Sequence, residues 1–135
     1  MQYLAIYALT TVIFFAIDMV WLGIVARNFY RQHLGYIMAE QVNWIAAIVF
    51  YLLYIGGILY FAILPAFHQQ ASWQQAALNG AVLGFLCYAT YDLTNLATLK
   101  NWPITVVLID IVWGTVLTGS VAGISLFLVR KIWGV

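Results

Sequence analysis

The sequence predicts an all-α integral membrane protein, a four-helix bundle with a short interfacial amphipathic helix between spans one and two. Three observations support this fold class: 66% of the 135 residues are hydrophobic, only 7% are charged, and the mean hydropathy is +0.99. These values lie far outside the range of a soluble domain. We therefore expect the lipid bilayer to be the main surrounding of the chain.

Four apolar runs are long enough to cross a hydrocarbon layer, which takes about 20 helical residues. They cover residues 3–26, 42–64, 76–99 and 103–129, so residues 1–135 form a single transmembrane domain. The runs lack the alternation of apolar and polar residues that barrel strands show. Helices follow, because in lipid each segment must satisfy its own backbone hydrogen bonds. The first run is too long for a signal-peptide core and is expected to be a span.

The first connection, Arg27 to Gln41, differs from the other two, which are shorter and carry no amphipathic pattern. Its apolar side chains recur at helical spacing, namely Phe29, Tyr30, Leu34, Ile37 and Met38. This pattern predicts a short helix lying at the membrane interface. The alternative is an extension of the neighbouring spans, since Gly35 weakens any helix here. In neither case do we expect the connection to act in catalysis.

Three of the four acidic residues, Asp18, Asp92 and Asp110, lie inside apolar runs, where a lipid-facing carboxylate is costly. Asp18 and Asp92 each come about seven or eight residues before their run ends, and Asp110 comes about seven after its run begins. Because successive spans alternate in direction, all three count from the same membrane surface. A rise of 1.5 Å per residue places each about 10 to 12 Å beneath it. Three inward-facing carboxyls at one depth of a compact bundle are expected to share a pocket.

Aromatic and amide residues extend this predicted pocket. Tyr88 and Asn95 share a helix face with Asp92, while Trp21 and Trp113 each follow an Asp by three positions. Aromatic walls with acids suit a small cationic or amphipathic ligand. The structural alternative is that each Asp only bonds to a side chain on the next helix and holds the bundle together.

Three neighbouring carboxyls cannot all be ionised at neutral pH without a cation between them. A shared proton, a bound cation and an amine ligand are the alternatives, and Arg27, Arg31 and Lys100 stand at the same surface and could reach inward. We expect no metal, no cofactor and no nucleic acid as partners. The chain has no metal-type spacing of His or Cys, no phosphate-binding glycine loop and no basic patch.

Small residues at a spacing of four predict close helix packing in the second half of the chain. The pairs are Gly80 with Gly84 and Gly119 with Gly123. Such pairs let helix backbones approach closely. The adjacent Gly56 and Gly57 are also interpreted as a close-packing notch, with a hinge as the alternative.

Several segments together resemble a known family. These are Ile17-Asp18-Met19-Val20-Trp21-Leu22-Gly23, His33-Leu34-Gly35-Tyr36, Tyr88-Ala89-Thr90-Tyr91-Asp92-Leu93-Thr94-Asn95, and Asp110 with Trp113. The pattern resembles a bacterial family of small inner-membrane proteins catalogued as a domain of unknown function, over nearly the whole chain. The resemblance implies a multi-pass protein of the bacterial inner (cytoplasmic) membrane. It also implies a link to lipid or isoprenoid metabolism, because members look to be encoded often beside cyclopropane-fatty-acid-synthase-like enzymes.

Three functions from different classes stay open. The first is an intramembrane ligand- or proton-binding protein, a small transporter that works as a homodimer and exchanges protons for a cationic or amphipathic ligand. The second is a membrane enzyme of lipid or isoprenoid modification, with one Asp as general acid. The third is an accessory subunit of a lipid-modifying enzyme. We favour the first, with ligand or proton binding at Asp18, Asp92 and Asp110, lined by Trp21, Tyr88, Asn95 and Trp113.

Overall fold

The computed structural model describes residues 2–135, which are helical and contain no strand. The helices are α1 (Gln2–Val20), α2 (Phe29–Leu34), α3 (Trp44–Ile58), α4 (Leu64–His68), α5 (Trp73–Thr98) and α6 (Ile104–Trp133). A π-helical turn, Trp21–Val25, prolongs α1, and another, Leu59–Ile63, joins α3 to α4. The all-α prediction is confirmed.

Within residues 2–135, three helices are long and apolar enough to cross a membrane. They are Gln2–Val25, Trp44–His68 and Ile104–Trp133, close to the first, second and fourth predicted runs. α5 lies where the third run was predicted, and its 26 residues include several amides and threonines that lower its hydropathy. The chain is therefore a helical membrane protein with three candidate spans among the described residues.

The long helices alternate in direction, as contacts at the two ends of the bundle show. At one end the Tyr36 hydroxyl donates to the Asn101 carbonyl oxygen at 2.5 Å, joining the first and third connections. At the other end the Tyr3 hydroxyl lies 3.3 Å from His68 Nε2. The Arg130 guanidinium there donates to the carbonyl oxygen of Ala71, in the second connection. The first and third connections thus share one end of the bundle.

Local sequence explains where α3 and α5 begin, and a proline follows the π-helical turn between α3 and α4. Asn43 and Ser72 precede α3 and α5, and their side-chain oxygens accept hydrogen bonds from backbone N–H groups of the first turn at 3.1 and 3.2 Å. This is ordinary N-capping, which satisfies a donor that would otherwise stay unpaired. Pro65 lies in the first turn of α4 and has no N–H to donate to a preceding carbonyl oxygen. The π turn Leu59–Ile63 comes directly before α4.

The tightest packing in the bundle joins α5 to α6. A Cβ added to Gly80 would stand 2.5 Å from the Thr118 carbonyl oxygen, and one added to Gly84 would overlap the carbonyl oxygen of Gly114. A Cβ on Gly123 would stand 2.9 Å from that of Ala77. The close approach predicted from the glycine spacing is confirmed.

The notch predicted at Gly56 and Gly57 is wrong. A Cβ on Gly57 would meet nothing within 4 Å, and one on Gly56 would only touch the Tyr7 ring at 3.9 Å. Neither glycine is needed for close packing, because no backbone approaches it.

The apolar core lies at the centre of the bundle. Its fully buried side chains come from α1, α3, the second π turn and α6, and include Ile6, Phe14, Ile55, Ile58, Ile63, Leu117, Val121 and Leu126. Many large apolar side chains on the outside of the same helices are exposed, such as Leu4, Ile45 and Leu53. This distribution is typical of helices that face lipid on one side and each other on the other side.

Candidate functional site

The three acids of the apolar runs come from three different helices and are all buried. Asp18 on α1 is 6% exposed, Asp92 on α5 is fully buried, and Asp110 on α6 is 7% exposed. The fourth acid, Glu40, is exposed in the first connection. The structure therefore turns all three carboxyls inward, which is where a charged or hydrogen-bonding group in a span has to point.

Asp18 and Asp110 line one cavity of about 440 Å³. Trp21, Tyr88 and Trp113 line it as well, so five of the seven residues selected from sequence face the same space. The remaining wall is largely aromatic or aliphatic and includes Phe14, Leu22, Phe50, Tyr51 and Tyr91. The arrangement combines two carboxyls with several aromatic faces, which can hold a cation through charge and through the ring quadrupoles.

Arg27 and Arg31 also line this cavity, and both side chains are exposed. They belong to the first connection, at the end of the bundle where the first and third connections meet. The cavity therefore has a positively charged mouth and an acidic floor.

Asp110 is held by a tyrosine from outside the spans. The Tyr30 hydroxyl donates to Asp110 Oδ1 at 2.5 Å, and Trp21 Nε1 donates to the Tyr30 oxygen at 3.2 Å. Burial, together with the neighbouring Asp110 carboxyl, raises the pKa of Tyr30 above its usual value of 10.0. Tyr30 thus stays a protonated donor at any physiological pH.

Helix α2 carries Tyr30 to the site because its apolar side chains are buried against the start of α6. Phe29, Tyr30 and Leu34 pack around Trp102, Val106 and Val107. The first connection was expected to take no part in catalysis, and the structure shows that it folds back over the bundle and supplies a hydrogen-bond donor to Asp110. Its six-residue helix is shorter than the amphipathic pattern predicted.

Asp18 contacts two other aromatic side chains of the cavity. The Tyr51 hydroxyl of α3 donates to Asp18 Oδ2 at 3.4 Å, a long hydrogen bond, and the Trp113 indole lies beside the same carboxyl. Trp113 stacks on Trp21 with ring centroids 4.4 Å apart and planes inclined by only 9°. A stacked pair of this kind contributes about 0.5 to 1.5 kcal/mol beyond its buried area. It ties the π turn after α1 to α6 directly beside the acids.

Asp92 does not line the cavity but lies behind it. Its carboxyl is beside that of Asp110 and the indole of Trp102. Within residues 2–135, neither oxygen of the Asp92 side chain makes a hydrogen bond, and Trp102 Nε1 makes none either. Three buried polar atoms without partners in one small region are unusual in a folded protein. Their cluster sits directly against the floor of the cavity.

Tyr88 forms the wall between the cavity and the interior of the bundle. Its ring rests on Gly114 of α6, where an added Cβ would overlap the ring atoms. The close α5–α6 packing therefore sets the position of Tyr88. Asn95, by contrast, is half-buried, lies beside Tyr91 and is not brought to the cavity.

Tyr30, Tyr51 and Trp102 are site neighbours that sequence reasoning did not select. Tyr30 lies in a connection, Tyr51 belongs to a span without an acid, and Trp102 stands in a short connection where an interfacial role is the usual one. No spacing rule links these residues to the acids, because each contact joins different segments of the chain. Among residues 2–135, no group of three or more His, Cys, Asp or Glu side chains is arranged to hold a metal ion.

Comparison with known proteins gives a family but no activity. Residues 3–127 match the family described as "Predicted membrane protein (DUF2177)". No curated protein and no solved structure matches the chain. Since the family match extends over nearly the whole sequence, including every residue of the site, this chain belongs to that family of membrane proteins.

Proposed function

We propose that the protein binds a small organic cation within the membrane, between Asp18 and Asp110, and exchanges it for a proton. The observation that supports this proposal is the cavity of about 440 Å³ in which carboxyls from α1 and α6 face stacked and tilted aromatic rings. An ionised carboxyl supplies the counter-charge, while aromatic faces favour a cation that has lost part of its water shell. The cavity volume suits a ligand of drug-like or smaller size.

The proposal takes α5 as a fourth span, antiparallel to α6. Its 26 residues reach about 39 Å, enough for a hydrocarbon layer. Its polar side chains are largely satisfied within the protein: Thr90 and Thr98 donate to carbonyl oxygens one turn earlier, and Asn79 donates to the Ala62 carbonyl oxygen. Hydrogen bonds of this kind reduce the cost of polar residues in lipid. The close α5–α6 packing supports the same placement.

The neighbouring Asp92 and Asp110 supply a place for the proton. Two ionised carboxyls side by side in a buried region repel each other, and one shared proton removes that repulsion. A cation arriving beside Asp110 offsets the same single negative charge that the shared proton offsets, so the proton leaves and the net charge of the site stays the same. Tyr30 holds Asp110 in place during this exchange, because its hydroxyl donates and does not ionise.

Binding of benzyltrimethylammonium to the purified protein in lipid nanodiscs tests this function. We expect wild type to bind the probe more tightly as the pH rises, because the carboxyl must be ionised to hold a cation, and to release protons as it binds. Asp18→Asn and Asp110→Asn should each weaken binding tenfold or more. Glu40→Gln is the matched control, since it removes the same charge from an exposed acid, and it should bind as wild type does.

Thermal unfolding of each variant separates loss of binding from loss of fold. Wild type without affinity for the probe would contradict the proposal, as would well-folded Asp18→Asn and Asp110→Asn variants with unchanged affinity. Asn variants that unfold, together with a wild type that binds nothing, would indicate that the acids only hold the bundle together.

A further inference from the structure

A second cavity adjoins the first. It also measures about 440 Å³ and is bounded by six residues, namely Phe50, Tyr54, Cys87, Tyr88, Tyr91 and Asp110. Four of these also line the cation cavity: Phe50, Tyr88, Tyr91 and Asp110. The two spaces therefore meet at Asp110, and a ligand held by that carboxyl has access to both.

The second cavity is a groove between α3 and α5. α5 packs against the π turn Leu59–Ile63 and α4, whereas its contacts with α3 itself are sparse, so the two helices diverge beyond that turn. Phe50 and Tyr91 are 51% and 58% exposed, and Cys87 is exposed as well. These residues lie within helices that we place in the bilayer, so the groove opens sideways toward the lipid chains.

The walls of the groove are apolar or aromatic along its whole length. Phe50 and Tyr54 lie one helical turn apart on α3, and their rings stack at 5.5 Å with planes inclined by 16°, forming a flat side. Asp110 at the inner end is the one acidic or basic residue of its lining. This is the chemistry of a site for a hydrocarbon chain that ends in a positively charged group.

Charge at the aqueous mouth favours the same direction of entry. Arg27 and Arg31 stand there and repel a cation that approaches from water. The groove presents no positive charge, so a cation anchored in the bilayer by a hydrocarbon chain reaches Asp110 without passing the two guanidinium groups.

We infer that the ligand is a single-chain cationic amphiphile, which enters from the bilayer between α3 and α5 and leaves its alkyl chain in the groove. This inference rests on the proposed function, because it assigns the cationic head to the carboxyls of Asp18 and Asp110. It adds the chain, its binding surface and its route.

A series of alkyltrimethylammonium ions with chains of four, eight and twelve carbons tests the role of the chain. Binding is measured to the protein in nanodiscs and corrected for partition into protein-free nanodiscs of the same lipid. We expect the corrected affinity to rise at least tenfold from the shortest chain to the longest. Equal corrected affinities along the series would overturn the inference, yet would leave the proposed cation binding intact.

A variant that fills the groove provides the second measurement. Cys87→Trp places a large ring at the groove wall, and we expect it to weaken dodecyltrimethylammonium binding tenfold or more while benzyltrimethylammonium binds as before. Leu86→Trp is the matched control, because Leu86 is 56% exposed on the same helix and lies outside the groove lining. It should change neither affinity.

Three results of the groove variant would overturn the inference. One is unchanged dodecyltrimethylammonium binding by folded Cys87→Trp, and another is equal weakening of both ligands. The third is a wild-type dimer that Cys87→Trp dissociates, measured by light scattering, because a second copy of the chain would then occupy the groove. Should Cys87→Trp fail to fold, the chain-length series on wild type decides alone.

Discussion

At the scale of single residues, the site contrasts satisfied and unsatisfied polar groups. Asp110 accepts a 2.5 Å hydrogen bond from Tyr30, which in turn accepts one from Trp21. Asp92, fully buried behind them, has no hydrogen bond within residues 2–135. An unsatisfied buried polar group costs about 1 to 3 kcal/mol. The proposed function accounts for this carboxyl, because a proton shared with Asp110 would neutralise it.

Tyr30→Phe tests the hydrogen-bonded side of this contrast. Removing the hydroxyl should lower the free energy of unfolding by about 1 to 2 kcal/mol, because Asp110 loses a donor and Trp21 loses an acceptor. The pKa of Tyr30 is raised in the folded protein, so its stabilising contribution is complete below pH 10 and declines as the pH rises further. The difference from wild type should therefore be constant from pH 7 to 9 and shrink above pH 10.

Denaturation by sodium dodecyl sulfate in mixed micelles measures this difference at each pH. Tyr60→Phe is the control, because Tyr60 is 69% exposed and makes no hydrogen bond within the described chain. It should match wild type throughout. A Tyr30→Phe variant as stable as Tyr60→Phe at pH 7 would show that the Tyr30 contact with Asp110 does not form.

At the scale of elements, the closely packed α5–α6 pair forms one wall of the cavity and positions Tyr88 in it. Glycines on both helices let the backbones touch, and Gly114 leaves room for the Tyr88 ring that faces the cavity. α1 and α3 contribute Asp18 and Tyr51, and irregular or connecting segments supply further side chains. The π turn Trp21–Val25 carries Trp21, and α2 brings Tyr30. Extra turns of this type are frequent at functional sites, because they change which way side chains point.

A pair of glycine substitutions tests the importance of this wall. Gly84→Ala should lower the free energy of unfolding by about 1 to 3 kcal/mol, since the new methyl group overlaps the Gly114 carbonyl oxygen and forces the helices apart. Gly57→Ala should raise it by about 0.5 to 1 kcal/mol, because Gly57 lies in a helix with open space around it. Both are measured by unfolding in mixed micelles. Equal effects of the two variants would contradict this account of the packing.

At the scale of the whole molecule, four antiparallel helices give the bundle two different ends. One end joins the first and third connections and holds the mouth of the cavity with Arg27 and Arg31. The other joins Tyr3 near the N-terminus, the second connection and Arg130 near the C-terminus. The polarity of the site, with acids inside and arginines outside, follows from this arrangement.

Protease protection of terminal tags tests the number of spans. If α5 crosses the membrane, an epitope tag on the N-terminus and one on the C-terminus should be cleaved from the same side of sealed membrane vesicles. The expected result is that both tags are digested in vesicles of one orientation and both are protected in the inverted vesicles. Tags on opposite sides would mean three spans and would place α5 outside the hydrocarbon layer.

The sequence by itself determined the environment, the helices and the inward acids. Composition excludes a soluble domain, the length of the apolar runs locates the helices within a few residues, and the small-residue spacing predicts the α5–α6 contact. These features are local, because each depends on residues of one segment and on the solvent around it. The cost of charge in lipid likewise made Asp18, Asp92 and Asp110 stand out before any contact was known.

Only the tertiary structure decided which of these residues meet and what surrounds them. It placed Asp18 and Asp110 on one cavity, set Asp92 behind it with Trp102, and left Asn95 aside. It also folded α2 over the bundle, so that Tyr30 reaches Asp110 across 80 positions of sequence. Such contacts depend on how far helices rotate and diverge when they pack, and no periodicity within one helix carries that information.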